Sequence, residues 1–548
     1  MTRRFSLSFG MLAAGVALLA ATFAHPAGST NDATEARKGG TLRLSRHTDI
    51  DFVDPGLAYY STSTSLMYAT CANLFTYPDA PGAAGLRLIP EVVRTYTVSR
   101  DGRTYTFDLR RTFRFHSGAQ VTARSYVDAF NRVANPKLGS PATPYMREIV
   151  GAEAVIAGRA KTISGVRALG AYRLQIRLTQ PVGDFTARLT MAFFCPILPN
   201  TPVDPKGIDD PAGSGPYYVA ERVVNQRVIL KRNPYYRGNR PANVDEIVWT
   251  FGMSQADCLA ATEEDRIDLC VEFGIPQTAY RRLADTYGVN RPGGRFFVGQ
   301  RLDVWYFAFN HERPTFRGPG QIPLKKAINY ALDRQALGET FGYLGGTPDD
   351  QLLTAPLGRD EAIYPVAGDV ARAQRWLARA ARKPAGLVLY AFTDRPGNVA
   401  AAQVFASSMK RIGIGVEVKY FEQLTQVRKV GTRGEPFDVA MLAWTTDYAD
   451  PAGYFEPLLN GANIGPTGNL NAAYFDDPRV NARIAAAGRL RGAVRRKAWA
   501  DLDVDLMRTN PPWAPYFHTT RPNFVSQSYG CFLYHPFYGV DLAAACKK

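Results

Sequence analysis

Strict alternation of apolar and polar positions marks three stretches in the first third of the chain. At 39–44, Gly39-Gly40-Thr41-Leu42-Arg43-Leu44 opens the ordered part with two faces of opposite character. Tyr105, Phe107 and Leu109 alternate with Thr106 and Asp108. Leu174, Ile176 and Leu178 alternate with Arg173, Gln175 and Arg177. Each predicts a strand with one wet face. Asp101-Gly102 is a hairpin signal, Gly118 follows a strand at a point that tolerates positive φ, and Asn233-Pro234 starts a turn.

The period changes further along. Leu324, Ala327, Ile328, Ala331 and Leu332 form one apolar stripe at helical spacing. Val370, Ala373, Leu377 and Ala380 repeat it, with Asp369 placed as an N-cap. A strand is predicted at 387–392, a helix at 400–411, and strands at 416–420 and 438–444. This alternation indicates an α/β lobe, whereas the first third is richer in strands and turns. Pro/Gly-rich breaks near 199–216 and 311–323 are candidate lobe boundaries. No internal repeat of fixed period is present.

A chain of 548 residues exceeds what one hydrophobic core usually organises, so two or three lobes are expected. The hydrophobic share of 46% with 21% charged residues is that of a folded protein, not of a disordered one. The net charge of +16 is spread along the chain. Its densest clusters, 295–301 and 489–497, lack the long basic tract of a nucleic-acid tail. The expectation is a solvated basic surface without a nucleic-acid partner.

The first 24 residues read as a signal peptide. Arg3 and Arg4 precede an uncharged apolar run at 11–23, too short to span a bilayer, and Thr22-Phe23-Ala24 offers a cleavage site, with Ala27 as an alternative. A twin-Arg route and an uncleaved anchor are the competing readings. No Cys follows the run, so a lipid anchor is not expected. Residues 25–38 form a polar leader. Export to the periplasm or another extracytoplasmic space places Cys71, Cys195, Cys258, Cys270, Cys531 and Cys546 where disulfides persist. Cys258 with Cys270, and Cys531 with Cys546, close short loops, which leaves Cys71 and Cys195. Six cysteines allow 15 connectivities, and free buried thiols are the alternative.

Signatures of catalysis are thin. His311-Glu312 lacks the second His of a zinc-protease helix, and neither a G-x-S-x-G elbow nor a phosphate loop occurs. Ser214 sits in Gly213-Ser214-Gly215-Pro216 without a local base. Clustered cysteines of a metal site are absent. No enzyme, metal or cofactor is expected.

Several segments, in this order, carry a family resemblance: GGTLRLS, DFVDPGLAYYSTS, LIPEVVRTYTVSRDGRTYTFDLRRTFRFHSGAQVTARSYVDAFNRV, GSGPYYV, VILKRNPYYRGNRPANVDEIVW, WYFAFNHERPTF with LKKAINYALDR, and FDVAMLAWTTDYADP. Together the chain resembles the family 5 extracellular solute-binding proteins of ABC importers, the dipeptide, oligopeptide and nickel-binding class. The resemblance implies an α/β, two-lobed periplasmic binding protein (class II-like, type C) whose lobes are joined by two crossing segments. The first lobe would be split, with a main subdomain at 39–76, 205–298 and 520–548 and an extra one at 77–204; the second lobe would span 299–519. Ligand is buried between lobes on hinge closure.

The resemblance also implies roles. Asp447 falls where peptide-binding relatives pair a carboxylate with the ligand's α-amino group, and Trp444 would supply a flat wall. The alternative is a turn cap and a core residue. Arg395, in LYAFTDRPGN, falls near an Arg that holds a ligand carboxylate in dipeptide-binding relatives; otherwise it is a surface Arg. Tyr59 and Tyr60 fall where the first lobe lines the cleft, to stack on ligand or simply to pack. Asp450, before Pro451, is expected to fix a turn. A monomer delivering a peptide or other small molecule to a membrane permease is implied, with nickel chelates, haem, sugars and opine-like compounds as alternative ligands. The cysteines and GSGPY in place of GTGPY depart from the common pattern.

Overall fold

Alternating residues decide which face of each sheet turns inward. The structure, a computed structural model, describes residues 38–548 except Phe273, Arg359, Asp360 and Arg395. The signal segment and residues 25–37 of the leader therefore lie outside the described residues. Thr41–Arg46 buries Leu42 and Leu44 completely, while the outward Arg43 donates to Asp268. This strand runs parallel to Glu246–Phe251, which sets Leu42 beside Ile247 and Leu44 beside Trp249. The five-stranded sheet has the order Leu269–Cys270, Thr41–Arg46, Glu246–Phe251, Arg227–Arg232, Tyr217–Val223.

A second core lies under a four-stranded antiparallel sheet of order Val93–Val98, Thr104–Leu109, Arg173–Arg177, Val166–Gly170. Tyr105, Phe107, Leu109, Leu174 and Ile176 face inward, as their spacing predicts. The turn joining its first two strands holds Gly102 at φ +72°, where its N–H donates to Ser99 O at 2.8 Å. A side chain there would be strained and would press on Pro181 and Arg491.

The third core is the largest. It surrounds a seven-stranded mixed sheet of order Phe296–Gln300, Trp513–Phe524, Asp303–Phe309, Val439–Thr445, Gly386–Phe392, Gly415–Phe421, with Gly346–Pro348 added beside Trp513–Phe524. Helices Ile322–Ala331, Val370–Leu377 and Pro396–Lys410 cover it with the stripes that the 3.6 period predicts. Asp369 caps its helix, accepting from Arg372 N at 2.8 Å. The Pro/Gly break at 311–323 is not a lobe boundary: Phe309, Phe316 and Leu324, on both sides of it, share this one core. Such a break marks a change of direction, and only the packing around it decides whether it also separates bodies.

Phe296–Gln300 and the second half of Trp513–Phe524 pair antiparallel from Phe296↔Phe524 to Gln300↔Thr520. Disulfides join Cys71 to Cys195, Cys258 to Cys270, and Cys531 to Cys546.

Candidate functional site

The site is assembled from strand ends and loops, where backbone direction changes and side chains are released from sheet packing. Asp51 organises the first wall. Its Oδ2 accepts from Tyr59 N at 2.7 Å and Tyr60 N at 2.9 Å, and Ser63 Oγ bonds its other oxygen. This turn leads into helix Ser61–Thr70 and leaves Tyr59 39% and Tyr60 59% exposed. Tyr59 stacks on Phe193 at 6.2 Å. The opposite wall is the end of strand Val439–Thr445. There Trp444 is half-buried, and its indole N–H donates to Gly453 O at 2.8 Å. The strand's exit is pinned by Thr446, whose N–H donates to Leu302 O at 3.2 Å and whose hydroxyl donates to Tyr448 O at 2.7 Å.

These walls enclose a cavity of about 310 Å³ lined by Tyr59, Tyr60, Trp444 and Asp447. A second cavity of about 700 Å³ lies beyond Tyr59 and Asp447, which line both. Asp447 thus stands at a partition. Tyr145 donates its phenolic O–H to Asp447 Oδ2 at 2.6 Å, and the Tyr59 hydroxyl also bonds the carboxylate. Burial lifts the Asp447 carboxyl to about 6, although both phenols pull it down. A carboxylate held by neutral phenols retains an uncompensated charge, and a cation arriving from the cavity would neutralise it.

The same segment also bonds to residues far away in the chain. Tyr448 donates to Asp184 Oδ2 at 2.6 Å, and Ala449 N donates to the Tyr77 hydroxyl at 3.0 Å. Asp450 does fix the turn, accepting from Ala452 N at 2.9 Å, and it also pairs with Arg495 at 2.7 Å. Gly183 N donates to Gly488 O at 2.8 Å, and Arg491 reaches Gly102 O at 3.3 Å. Four of the five residues expected from the sequence, Tyr59, Tyr60, Trp444 and Asp447, therefore meet in one cavity; Arg395 lies outside the described residues.

Sequence reasoning missed the rest of the lining. Tyr145 reaches Asp447 from 302 residues away and carries no local motif. Glu91 sits in the cavity floor, paired with Arg240 at 2.6 Å, both buried. Arg240 also lies over the Tyr68 ring at 4.6 Å, and Tyr68 stacks on Tyr538 at 4.0 Å. The C-terminal segment around Tyr534 and Tyr538 closes the back. The Arg240 motif, RNPYYRGNRP, was legible only as a turn.

The chain is 25% identical over 544 residues to the periplasmic oligopeptide-binding protein OppA of Escherichia coli (strain K12), covering 92% of each. It is 25% identical over 452 residues to the periplasmic murein peptide-binding protein MppA of the same strain, covering 79% of this chain and 80% of MppA. Among solved structures, clavulanic acid biosynthesis oligopeptide binding protein 2 superposes with a TM-score of 0.84 at 25% identity, over 93% of this chain and 96% of that one. Residues 87–466 match the family described as bacterial extracellular solute-binding proteins, family 5 (middle), and the chain belongs to that family.

Proposed function

We propose that this protein captures short peptides in the cavity between its lobes, outside the cytoplasmic membrane, and delivers them as a monomer to the permease of an ABC importer. The observation that carries this reading is Asp447: a carboxylate facing an aromatic-walled cavity, bonded to two phenols and lifted to about 6 by burial. An α-ammonium is its natural counter-ion, because a charge-assisted hydrogen bond gains strength away from water. Trp444, Tyr59 and Tyr60 offer flat surfaces for peptide backbone and side chains. OppA and MppA, named for oligopeptides and murein peptides, support the same ligand class.

In this reading the hinge lies at the crossing segments, near 298/299 and 519/520, with 77–204 as the extra subdomain of the first lobe. Ligand contacts made to both lobes favour the closed form, since only there are they made together. The role is capture, not chemistry. No helix among the described residues is long and apolar enough to cross a membrane. Native mass spectrometry of freshly purified protein tests the reading. Co-purified peptides of a few residues, recovered unchanged, are expected; a non-peptide solute in their place, or hydrolysed peptide, would overturn it.

A further inference from the structure

Lys and Arg occur throughout the chain, but the excess of positive charge does not. Between Val93 and Arg177, which bound the four-stranded sheet, 15 Lys and Arg stand against five Asp and Glu. That excess of +10, out of +16 for the whole chain, occupies less than a sixth of its length. The sheet itself shows where part of it goes. Leu174 and Ile176 are fully buried in the second core, so their neighbours Arg173, Gln175 and Arg177 point the other way. Register places Arg167 opposite Gln175, on that same outer face. All three arginines are exposed. Of the three, only Arg173 has a counter-ion among the described residues, Asp108 at 3.7 Å on the neighbouring strand, while Arg167 donates to Ser164 O at 2.9 Å.

The chemistry of this face sets the kind of partner it fits. On the neighbouring strands the outward positions Thr95, Thr97, Thr104 and Thr106 are uncharged, and Asp108 is the one carboxylate beside them. Arg173 and Arg177 lie about 13 Å apart along their strand, and the three arginines line neither of the two cavities described above. The charge is therefore presented to an extended surface, not to one enclosed anion. At the sheet edge, two residues from Arg167, Leu169 is 51% exposed. An apolar side chain among guanidinium groups suits a lipid headgroup layer, which offers phosphates to the arginines and an apolar boundary to the leucine. An acidic protein surface would match the charge and leave Leu169 without a use.

We propose that the outer face of this sheet docks on an anionic phospholipid surface, with Arg167, Arg173 and Arg177 on headgroup phosphates and Leu169 at the boundary, and so holds the protein beside a membrane. Arg suits this task through its planar fork of donors. The inference is independent of which solute the cavity holds. Native protein is sedimented with vesicles of phosphatidylcholine and phosphatidylglycerol in a two-to-one ratio, and with vesicles of phosphatidylcholine alone. Binding to the anionic vesicles only is expected, and salt at about 1 M, where the screening length falls to about 3 Å, should release it. Each arginine contributes about fivefold at such a surface, so Arg167→Gln/Arg173→Gln/Arg177→Gln should bind roughly 100-fold more weakly. Lys383→Gln/Lys410→Gln/Arg496→Gln makes the same charge change at exposed positions outside the sheet and should stay within threefold of the native protein. Circular dichroism and thermal unfolding check that both variants fold. Absence of binding to the anionic vesicles overturns the proposal. So does equal weakening by the two variants, which would assign the attraction to net charge and not to this face. Sheet-dependent binding to polyglutamate without binding to vesicles would make the partner an acidic protein and overturn it as well. Should the sheet variant not fold, Arg177→Gln, which breaks no ion pair among the described residues, decides alone: about fivefold weakening is expected, and unchanged binding refutes the assignment.

Discussion

Asparagine at 447 keeps the shape of the aspartate and removes its charge, so Asp447→Asn should lose binding and gain stability at once. A peptide ammonium closed into the cavity opposite a neutral amide would be left unpaired, at about 3–5 kcal/mol. That is roughly two to three and a half orders of magnitude in Kd. The empty protein moves the other way. Burial lifts the carboxyl from 3.8 to about 6, so its ionised form is disfavoured in the fold. At 1.36 kcal/mol per pKa unit, removing the charge at pH 7.5 should stabilise the empty protein by about 1–3 kcal/mol. For a chain of this size that raises the unfolding midpoint by roughly 1–3 °C.

The sign of the pH dependence follows from the same group. The folded pKa is raised, so the associated stability is present below the unfolded value of 3.8 and lost as pH rises through about 6. Binding runs opposite. Below about pH 6 the empty carboxyl holds a proton that an arriving ammonium must displace. Affinity should be greatest near pH 7, decline above about 7.7 as the ligand's α-amino group loses its proton, and fall about tenfold per unit of pH below 6, and Asp447→Asn should abolish the acid-side slope. Calorimetry between pH 4.5 and 8 measures the profile, and scanning calorimetry the midpoint. Binding by Asp447→Asn within threefold of the native protein, or a flat native profile, would refute the reasoning.

Two further outcomes follow. Tyr145→Phe removes the hydrogen bond that favours the ionised Asp447 from the opposite wall, a bond to a charged group worth about 1.5–3 kcal/mol; the midpoint of the pH–affinity profile should move upward, and an unmoved midpoint would show that Tyr145 does not hold the carboxylate. The Cys71–Cys195 bridge spans 124 residues, against 12 for Cys258–Cys270 and 15 for Cys531–Cys546. Replacing its pair by serine should cost about 4–5 kcal/mol against about 3 for a short loop, and denaturant unfolding that ranks the short bridges as the more stabilising would contradict the chain-entropy account.

Local chemistry was legible in the sequence wherever the sequence is the cause. Leu42 and Leu44, or Tyr105, Phe107 and Leu109, alternate because one sheet face is wet, and the strands form where the alternation lies. Asp369 caps because a short carboxylate before a helical stripe reaches the free N–H groups. Asp447 and Trp444 were legible through a motif confined to one strand end. Tyr145, Arg240 and Arg301 were not, because each gains its meaning from a partner or wall built elsewhere in the chain. Tyr145 matters only against Asp447, Arg240 only against Glu91, and Arg301 only where the stretch after Phe296–Gln300 comes to line the cavity. The break at 311–323 failed for the same reason, since Phe316 within it belongs to a core that local composition does not reveal.

The central claim is that a carboxylate in the cavity grips the ligand's ammonium, and acetylating that ammonium tests it most directly. A tripeptide and its Nα-acetylated form should be titrated into the native protein at pH 7.5. The acetylated peptide should bind at least 100-fold more weakly, as loss of the charged partner of a buried carboxylate requires. Equal affinity for both would contradict the account.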